Sequence, residues 1–192
     1  MRIVAGRFKG LALATPKDDR VRPTSDRARE ALFNVLAHND FGVGFQIEGA
    51  RVLDLFAGTG ALGLEALSRG ARYVLLVDDH HESRGLIRRN VEAAHATGAT
   101  KIWRRDATGL GEMPVNAGGP FDLVFMDAPY RKGLTGLALA SVHGGGWLAA
   151  NALIAAEIAA DETFVAPDWV ATLDERRYGE AKILLMTCGT QG

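Results

Sequence analysis

RVLDLFAGTGALGLEALSRG, residues 51–70, is the stretch that decides the fold. Its apolar run from Val52 to Phe56 has the composition of a parallel strand that is buried on both faces. A glycine turn follows at residues 57–60, and the apolar positions then recur at helical spacing. Gly58 and Gly60 allow a sharp turn and the close approach of a ligand. A helix that begins there directs its N–H groups and positive dipole end at the same point. The stretch therefore predicts a site for a nucleotide-type cofactor.

The identity of that cofactor is open on spacing alone. Gly58, Gly60 and Gly63 satisfy the dinucleotide fingerprint, and Asp78 stands 20 residues after Gly58 at the end of the next predicted strand, as NAD binding would require. Asp54, however, lies inside the first strand, where a buried carboxylate is costly unless it meets a partner. The ammonium and sulfonium groups of S-adenosylmethionine (SAM) are such partners. Together with the tetrapeptide at residues 127–130, Asp54 favours SAM over NAD.

Composition sets the broad class of the protein. Its 192 residues, 47% apolar and 23% charged, predict a soluble globular chain that forms one domain over residues 1–192. No apolar run is long enough to span a membrane, and the first residues do not resemble a signal peptide. The single cysteine, Cys188, excludes an internal disulfide and fits a reducing compartment. We therefore expect a cytoplasmic protein.

Charge is distributed unevenly along the chain. The net charge is −1, yet residues 1–36 carry eight Lys and Arg against four acidic residues. Such asymmetry predicts a basic face for a polyanion. Residues 1–20 are interpreted as a small β-hairpin around Gly6 and Gly10, too glycine-rich to be core, that forms a basic appendage on a body of residues 21–192. The residues expected to bind RNA are Arg2, Arg7, Lys9, Arg20 and Arg22.

The remainder of the chain alternates between strands and helices. A helix with an apolar stripe is predicted to begin at Asp26, with Arg27, Arg29 and Glu30 on its outer face. Further strands are predicted at 73–77, 101–105, 121–126 and 152–160, further helices at 83–96 and 133–142, and a closing antiparallel pair at 171–177 and 182–188. This order predicts an open α/β sheet of about seven strands.

Carboxylates follow several of these strands, at the edge where α/β sheets bind ligands. Asp78 and Asp79 end the second strand, and a carboxylate there can accept both hydroxyls of a ribose. Asp106, with Ala107, follows the third strand; it either bonds the amino group of adenine or is a plain turn aspartate. Adjacent His80 and His81 point apart and lack a third ligand, so no metal site is predicted.

The tetrapeptide Asp127-Ala128-Pro129-Tyr130 suits a planar amine on a nucleobase. A carboxylate can accept one N–H of the amine while a backbone carbonyl accepts the other, which draws the nitrogen towards tetrahedral geometry. An aromatic ring can stack on the base and hold it in line with a methyl group. This is catalysis by positioning.

Four segments together resemble the RsmD family, the bacterial small-subunit ribosomal RNA guanine-N2 methyltransferases. They are MRIVAGRFKG at residues 1–10, RPTSDRAREALFN at 22–34, DLFAGTGALGLEALSRGA at 54–71 and the tetrapeptide at 127–130. The block at 22–34 is the most family-specific, because the glycine motif and the tetrapeptide occur in many methyltransferases.

The resemblance implies a class I SAM-dependent methyltransferase fold. This is a Rossmann-like, seven-stranded, mostly parallel sheet with one antiparallel strand and an N-terminal hairpin. It also implies a monomeric, metal-free enzyme whose partner is ribosomal RNA or a small-subunit particle. The implied guanine site is Asp127, Ala128, Pro129 and Tyr130. The implied SAM contacts are Asp54, Phe56, Ala57, Gly58, Gly60, Asp78, Asp79, Asp106 and Ala107.

One position departs from the family pattern, since Ala128 replaces the first proline of Asp-Pro-Pro-Tyr. The carbonyl of residue 128 survives, and Pro129 still restricts Ala128, but the fixed φ of a proline is lost. Ala128 therefore keeps a non-catalytic RNA-binding or ribosome-assembly factor as an alternative. A methyltransferase for adenine N6 in DNA or RNA is a further alternative, because the tetrapeptide suits either amine. An NAD-dependent oxidoreductase is disfavoured, because no constellation for hydride chemistry is visible.

Overall fold

The computed structural model describes residues 1–16 and 26–188, which form a seven-stranded sheet. The strands are β1 (Arg51–Leu55), β2 (Tyr73–Val77), β3 (Thr100–Trp103), β4 (Phe121–Asp127), β5 (Leu148–Ala159), β6 (Val170–Tyr178) and β7 (Ala181–Cys188). Their order is β3-β2-β1-β4-β5-β7-β6. All pairings from β3 to β5 are parallel, and β7 pairs antiparallel with both β5 and β6. The prediction of a mostly parallel sheet with one reversed strand is confirmed.

Helices cover both faces of the sheet. They are α1 (Asp26–His38), α2 (Ala61–Ser68), α3 (His81–Ala93) and α4 (Leu134–Gly144). Helices α1, α2 and α3 pack on the face that includes Val52 and Phe125, while α4 packs on the face that includes Leu53 and Val124. Strands β1, β2 and β4 are therefore buried on both sides, as their continuous apolar runs predicted.

The N-terminal segment is the predicted hairpin in minimal form. Its arms meet in one antiparallel bridge, Arg2 with Ala12, and a 3-10 turn at Gly6–Phe8 joins them. The expectation that this segment lies outside the core was wrong, because Ile3 is fully buried and Leu13 is 6% exposed. Gly6 has φ +77, and a Cβ there would lie 1.9 Å from the carbonyl oxygen of Ser68. Only glycine fits so close a contact between the hairpin and α2.

Arg29 is fully buried, so its prediction on the outer face of α1 was wrong. Its guanidinium forms an ion pair with Asp26 at 2.9 Å, lies 3.5 Å from Glu65 and donates to the carbonyl of Arg2. The neighbouring Arg27 and Glu30 are exposed, as expected. Helical spacing places Arg29 close to the apolar stripe of α1. The buried carboxylate of Glu65 in α2 is the partner that stabilises the charged guanidinium in this position.

Glu65 holds the hairpin to α2. Its carboxylate accepts the N–H groups of Val4 and Ala5 at 2.8 and 3.0 Å. One turn further along α2, the Ser68 hydroxyl accepts the N–H of Phe8 at 2.9 Å and donates to the carbonyl of Ala5 at 2.5 Å. Side chains of α2 thus satisfy backbone hydrogen-bonding groups of the hairpin.

Neither a membrane-spanning helix nor a metal-binding cluster is found among residues 1–16 and 26–188. Within those residues, no helix is long and apolar enough to cross a membrane. No group of three or more His, Cys, Asp and Glu side chains in the same part of the chain could hold a metal ion. Cys188 is a half-buried free thiol, and burial raises its pKa. A raised pKa keeps the thiol protonated and unreactive.

Candidate functional site

The candidate site lies at the carboxyl edge of the sheet, where β1 separates β2 and β3 from β4 and β5. Chain connections run in opposite directions from this point, which makes a crevice between the ends of β1 and β4. Asp54 is the fourth residue of β1, Asp78 directly follows β2, and Asp127 ends β4. Three of the predicted carboxylates therefore meet around one crevice.

The glycine turn has the backbone geometry that its residues predicted. Gly58 and Gly60 have φ of +57 and +76, and Gly60 caps α2 without a side chain. At Gly58 an added Cβ would meet only the carbonyl oxygen of Phe56, at 3.8 Å, so this Cα faces open space. At Gly63 it would lie 3.0 Å from the Asp54 carboxylate. Gly58 in the turn therefore leaves room for a ligand, whereas Gly63 in α2 packs tightly against the sheet. Phe56 also has a positive φ, +55, which is uncommon for a residue with a side chain.

Asp54 has a partner inside the protein, the backbone of α2, in addition to the cationic ligand that the sequence suggested. Its Oδ2 accepts the N–H of Gly63 at 2.9 Å, and the residue is 1% exposed. Burial raises the pKa of Asp54 well above its usual range, opposed by the Gly63 N–H and reinforced by the charges of Asp127 and Asp78. A bound cation would reverse this shift, because it favours the ionised carboxylate.

Asp78 ties the glycine turn to the end of β2. Its Oδ2 accepts the N–H of Gly58 at 2.9 Å, and its Oδ1 accepts the N–H of His80 at 2.8 Å. Burial raises the pKa of Asp78 against the lowering effect of these two bonds. Each carboxylate oxygen can accept more than one hydrogen bond, so Asp78 retains capacity for ligand hydroxyls. Asp79 is exposed, and its carbonyl accepts from Arg84 at 2.5 Å.

Asp106 has the geometry of a turn aspartate, the alternative left open by the sequence. Its Oδ1 accepts the N–H and the hydroxyl of Thr108 at 2.8 and 2.7 Å and caps the 3-10 helix Ala107–Gly109. The Thr108 hydroxyl, followed by its N–H, lowers the pKa of Asp106. The side chain of Ala107 is buried in the core. Within this pair, Asp106 has the exposed side chain and Ala107 can offer its backbone.

The tetrapeptide follows the end of β4 with Ala128 buried, Pro129 exposed and Tyr130 half-buried. The Tyr130 hydroxyl donates to Glu157 Oε1 at 2.5 Å. Glu157 lies on β5 directly opposite Asp127 in the sheet register. The sequence analysis missed Glu157, although a signal was present. It is one acid in the apolar run Ala152–Ala160, as Asp54 is in its own strand.

The loop after the tetrapeptide is anchored to the turn after β5. Arg131 has φ +59, and its N–H donates to Glu162 at 3.1 Å. Its guanidinium binds Asp161 at 2.8 Å, an ion pair between exposed side chains. Such exposed pairs contribute little energy individually. Two contacts from one residue nevertheless define the path of the chain beyond Tyr130.

Basic side chains lie on the outer surface of the hairpin. Arg2, Arg7 and Lys9 are exposed, and the Arg7 guanidinium stacks over the Phe8 ring at 4.6 Å. Arg7 and Lys9 border a groove of about 680 Å³ between the hairpin and residues 93–99. The predicted RNA contacts Arg20 and Arg22 lie outside the described residues. The three described residues of the predicted set are exposed, and their contact with RNA stays a prediction.

Asn90 joins the hairpin to the glycine turn, a link that spacing did not reveal. Its side-chain nitrogen donates to the carbonyls of Thr59 and Ala14 at 2.8 and 3.1 Å. Its oxygen accepts the N–H of Ala14 at 2.7 Å. One buried amide therefore satisfies backbone groups of both the base of the hairpin and the candidate cofactor turn.

Comparison with known proteins gives consistent matches over most of the chain. The family model described as "Conserved hypothetical protein 95" matches residues 1–187. Ribosomal RNA small subunit methyltransferase D of Escherichia coli K12 is 39% identical over 158 residues, which cover 82% of this chain and 74% of the relative. The protein of the same name from Haemophilus influenzae is 31% identical over 180 residues, 93% of this chain and 89% of the relative.

Solved structures agree with the observed architecture. A putative methyltransferase from Escherichia coli has a TM-score of 0.82 and 32% identity, with 100% of this chain and 99% of the other covered. A putative RNA methyltransferase from Pyrococcus horikoshii, with a TM-score of 0.66 and 20% identity, shares the fold over 92% of this chain and 94% of the other. Together with the match over residues 1–187, these findings show that the chain belongs to the family described as conserved hypothetical protein 95, the RsmD family that its motifs resemble.

Proposed function

We propose that this protein is a SAM-dependent methyltransferase that methylates the exocyclic N2 amine of a guanine in small-subunit ribosomal RNA. The observation that carries the proposal is the position of Asp127 to Tyr130, at the end of β4 and beside the glycine turn after β1. The names of the relatives support ribosomal RNA as the substrate. The choice of guanine N2 rests on the family resemblance and on the chemistry of the tetrapeptide.

The residues at the end of β1 fit SAM. The Cα of Gly58 faces open space, so the backbone can be approached closely, and Asp54 offers a buried carboxylate whose ionised form a cation would favour. Asp54, Gly58 and Gly60 would hold the methionine part, together with the backbone of Phe56 and Ala57. When bound, SAM supplies an electrophilic methyl group on a sulfonium.

The ribose and adenine contacts follow from the next two strand ends. Asp78 would accept the ribose hydroxyls while it keeps its bond to the Gly58 N–H. Asp106 and the backbone of Ala107 would border the adenine, with Asp106 Oδ1 already engaged by Thr108. Asp79 is exposed beside Asp78 and contributes mainly charge at the rim.

The tetrapeptide would position the target amine. The Asp127 carboxylate accepts one amine N–H and the carbonyl of Ala128 accepts the other, so that the nitrogen lone pair turns out of the ring and towards the methyl group. The Asp127 charge would also stabilise the positive charge that develops on the nitrogen as the N–C bond forms and the bond between the methyl group and sulfur breaks, which leaves a neutral thioether. The methylated amine then loses one proton, for which the Asp127 carboxylate is an acceptor within reach. The Tyr130 ring stacks on the base, a contact worth about 1–3 kcal/mol.

Ala128 is compatible with this role. The function of residue 128 is performed by its carbonyl, which alanine and proline share. Ala128 is buried, Pro129 restricts its backbone, and the bonds from Tyr130 to Glu157 and from Arg131 to Glu162 hold the following loop. These contacts support a catalytically active protein in spite of the missing proline.

The test is methyl transfer from isotope-labelled SAM to unmodified small-subunit ribosomal RNA and to particles that contain it, with the product nucleoside identified by mass spectrometry. The expected product is N2-methylguanosine. Labelled N6-methyladenosine would replace this proposal with the adenine alternative. SAM binding by calorimetry without any product on RNA, DNA or particles would support the non-catalytic binding factor. Binding of NAD but not SAM would contradict the cofactor assignment.

A further inference from the structure

We propose that Glu157 reads the target base, with its carboxylate accepting the N1–H of guanine beside the amine that Asp127 holds. This inference rests on the proposed function and adds a residue that selects guanine over adenine. The tetrapeptide alone cannot make that choice, because its two acceptors suit the exocyclic amine of either base.

The backbone places Glu157 next to Asp127. The two residues are register partners on the parallel strands β4 and β5. Side chains of register partners project from the same face of a sheet. That face is the one on which Phe125 and Ala155, two residues earlier on each strand, join a common apolar cluster with α1 and α2. Asp127 and Glu157 therefore form two adjacent acidic positions at one end of that face.

Tyr130 connects the pair to the position of the base. Its hydroxyl donates to Glu157 Oε1 at 2.5 Å, so Glu157 contacts the residue whose ring would stack on the target. A carboxylate has about four acceptor positions on its two oxygens, so it can accept the tyrosine hydroxyl and an N–H of a base together. Glu157 is half-buried while Ala155, Ala156 and Ile158 around it are buried. Hydrogen bonding offsets the cost of a carboxylate in such surroundings.

The edges of the two bases differ at the atom next to the amine. In guanine the N2 amine stands beside N1–H, so two neighbouring donors face outward. In adenine the N6 amine stands beside an unprotonated N1, which is an acceptor. Two adjacent carboxylates match the donor–donor edge of guanine, whereas the lone pair of adenine N1 would oppose the Glu157 oxygens. A mismatched acceptor of this kind costs a buried hydrogen bond and adds repulsion.

The experiment compares guanine with 2-aminopurine, which keeps the C2 amine but has an acceptor at N1. The modified position is first mapped in small-subunit ribosomal RNA, and RNA with either base at that position is then prepared by ligation. Single-turnover methylation rates are measured for wild type, Glu157→Gln and the matched control Glu175→Gln. Glu175 is an exposed residue of the edge strand β6.

Wild type and Glu175→Gln should prefer guanine by about tenfold or more, the scale of discrimination by one well-placed hydrogen bond. In Glu157→Gln, the ratio of the rate on guanine to the rate on 2-aminopurine should fall by about tenfold, because the carboxamide can rotate to donate to N1 of 2-aminopurine. An unchanged preference in Glu157→Gln, whatever its absolute rate, would assign Glu157 a structural role through Tyr130 and overturn the inference. Equal rates of wild type on guanine and on 2-aminopurine would also overturn the inference, and this measurement does not depend on any variant. If wild type forms no N2-methylguanosine at all, the proposed function itself fails.

Discussion

Asn90 donates to the carbonyl of Thr59 at 2.8 Å while its other side-chain atom accepts the N–H of Ala14 at 2.7 Å. A residue in the last turn of α3 thus fixes the glycine turn and the base of the hairpin at once. Asn90 is 1% exposed and its bond to Thr59 is buried, so water cannot replace that bond.

Substitution of Asn90 should therefore affect both stability and cofactor binding. Asn90→Ala removes the side-chain partner of the buried Thr59 carbonyl and of two half-buried backbone groups of Ala14, and should lower the free energy of unfolding by about 1–3 kcal/mol. Asn90→Asp keeps an acceptor for the Ala14 N–H but sets a carboxylate oxygen against the Thr59 and Ala14 carbonyls, so it should lower stability and also weaken SAM binding. Urea unfolding and calorimetry measure the two effects. Wild-type SAM affinity in Asn90→Asp would show that the Thr59 bond does not shape the turn.

Asp54 should make stability depend on pH in an unusual direction for an aspartate. Its raised pKa means that the folded protein holds this proton more tightly than the unfolded chain does. The stabilising contribution is complete below about pH 4, the ordinary aspartate pKa, and is lost as pH rises through the raised value. Asp54→Asn, which can still accept from Gly63, should be no less stable than wild type at pH 8 and should show a flatter pH profile.

The same variant should bind SAM about tenfold or more weakly, because it lacks the charge that faces the cation. Thermal unfolding across pH and calorimetry at pH 8 provide the two measurements. A profile for Asp54→Asn that parallels the wild-type profile would assign the pH dependence to other groups.

Asp78→Ala should weaken SAM binding by about 1.5–3 kcal/mol, the scale of hydrogen bonds to a charged group. It also removes the acceptor for the Gly58 N–H, so the turn itself is affected. Asp79→Ala is the matched control, since Asp79 is exposed, and its effect should be much smaller. Calorimetric titration of both variants is decisive, and a larger loss in Asp79→Ala than in Asp78→Ala would place the ribose beside Asp79 instead.

The tetrapeptide variants should separate chemistry from binding. Asp127→Ala should abolish methyl transfer and leave SAM affinity nearly intact, because its proposed contact is with the target amine. Ala128→Pro should be neutral or raise the rate by a few fold, less than about 1.4 kcal/mol. Single-turnover methylation of ribosomal RNA measures both. Wild-type inactivity that Ala128→Pro relieves would mean that the natural alanine has removed catalysis.

The hairpin cations should contribute to RNA affinity through phosphate contacts. Replacing Arg2, Arg7 and Lys9 by glutamine should weaken RNA binding and reduce the slope of log K against log salt by up to about three. SAM affinity should hardly change. The control replaces Arg176 and Arg177, which are exposed on β6 at the far edge of the sheet. An unaltered salt slope in the hairpin variant would show that these charges do not reach the RNA.

Most of the fold followed from local patterns. Buried parallel strands such as β1 and β2 read as short continuous apolar runs, and the turn at Gly179 marked the closing antiparallel pair. Boundaries differed where pairing overrides composition: β5 begins at Leu148 rather than Ala152, because Leu148 pairs with Phe121 across a register shift.

The misses at Arg29 and Glu157 were long-range partnerships, whereas Asp106 was ambiguous between two local interpretations. The charge of Arg29 predicts an exposed side chain, because its partner Glu65 lies 36 positions away in another helix and cannot be inferred from local sequence. Glu157 matters through Tyr130 and Asp127, which only the strand order brings to it. Asp106 remained ambiguous because an aspartate two residues before a threonine suits either a turn or a ligand. The partners of Arg29 and Glu157 depend on how the helices and strands assemble, and local spacing does not reveal them.

The attachment of the hairpin by Glu65 and Asn90 sets an order of events during synthesis. The N–H of Val4 bonds to Glu65, which is translated 61 positions later, and the N–H of Ala14 bonds to Asn90, which is translated 76 positions later. At about 5–20 residues per second, roughly 4–15 s pass between the translation of Ala14 and that of Asn90. Until β1 and α2 have been made, the apolar cluster that buries Ile3 and Leu13 is incomplete. On the ribosome, the hairpin can therefore bond to α2 first, and its base at Ala14 can be fixed only after α3 has been made.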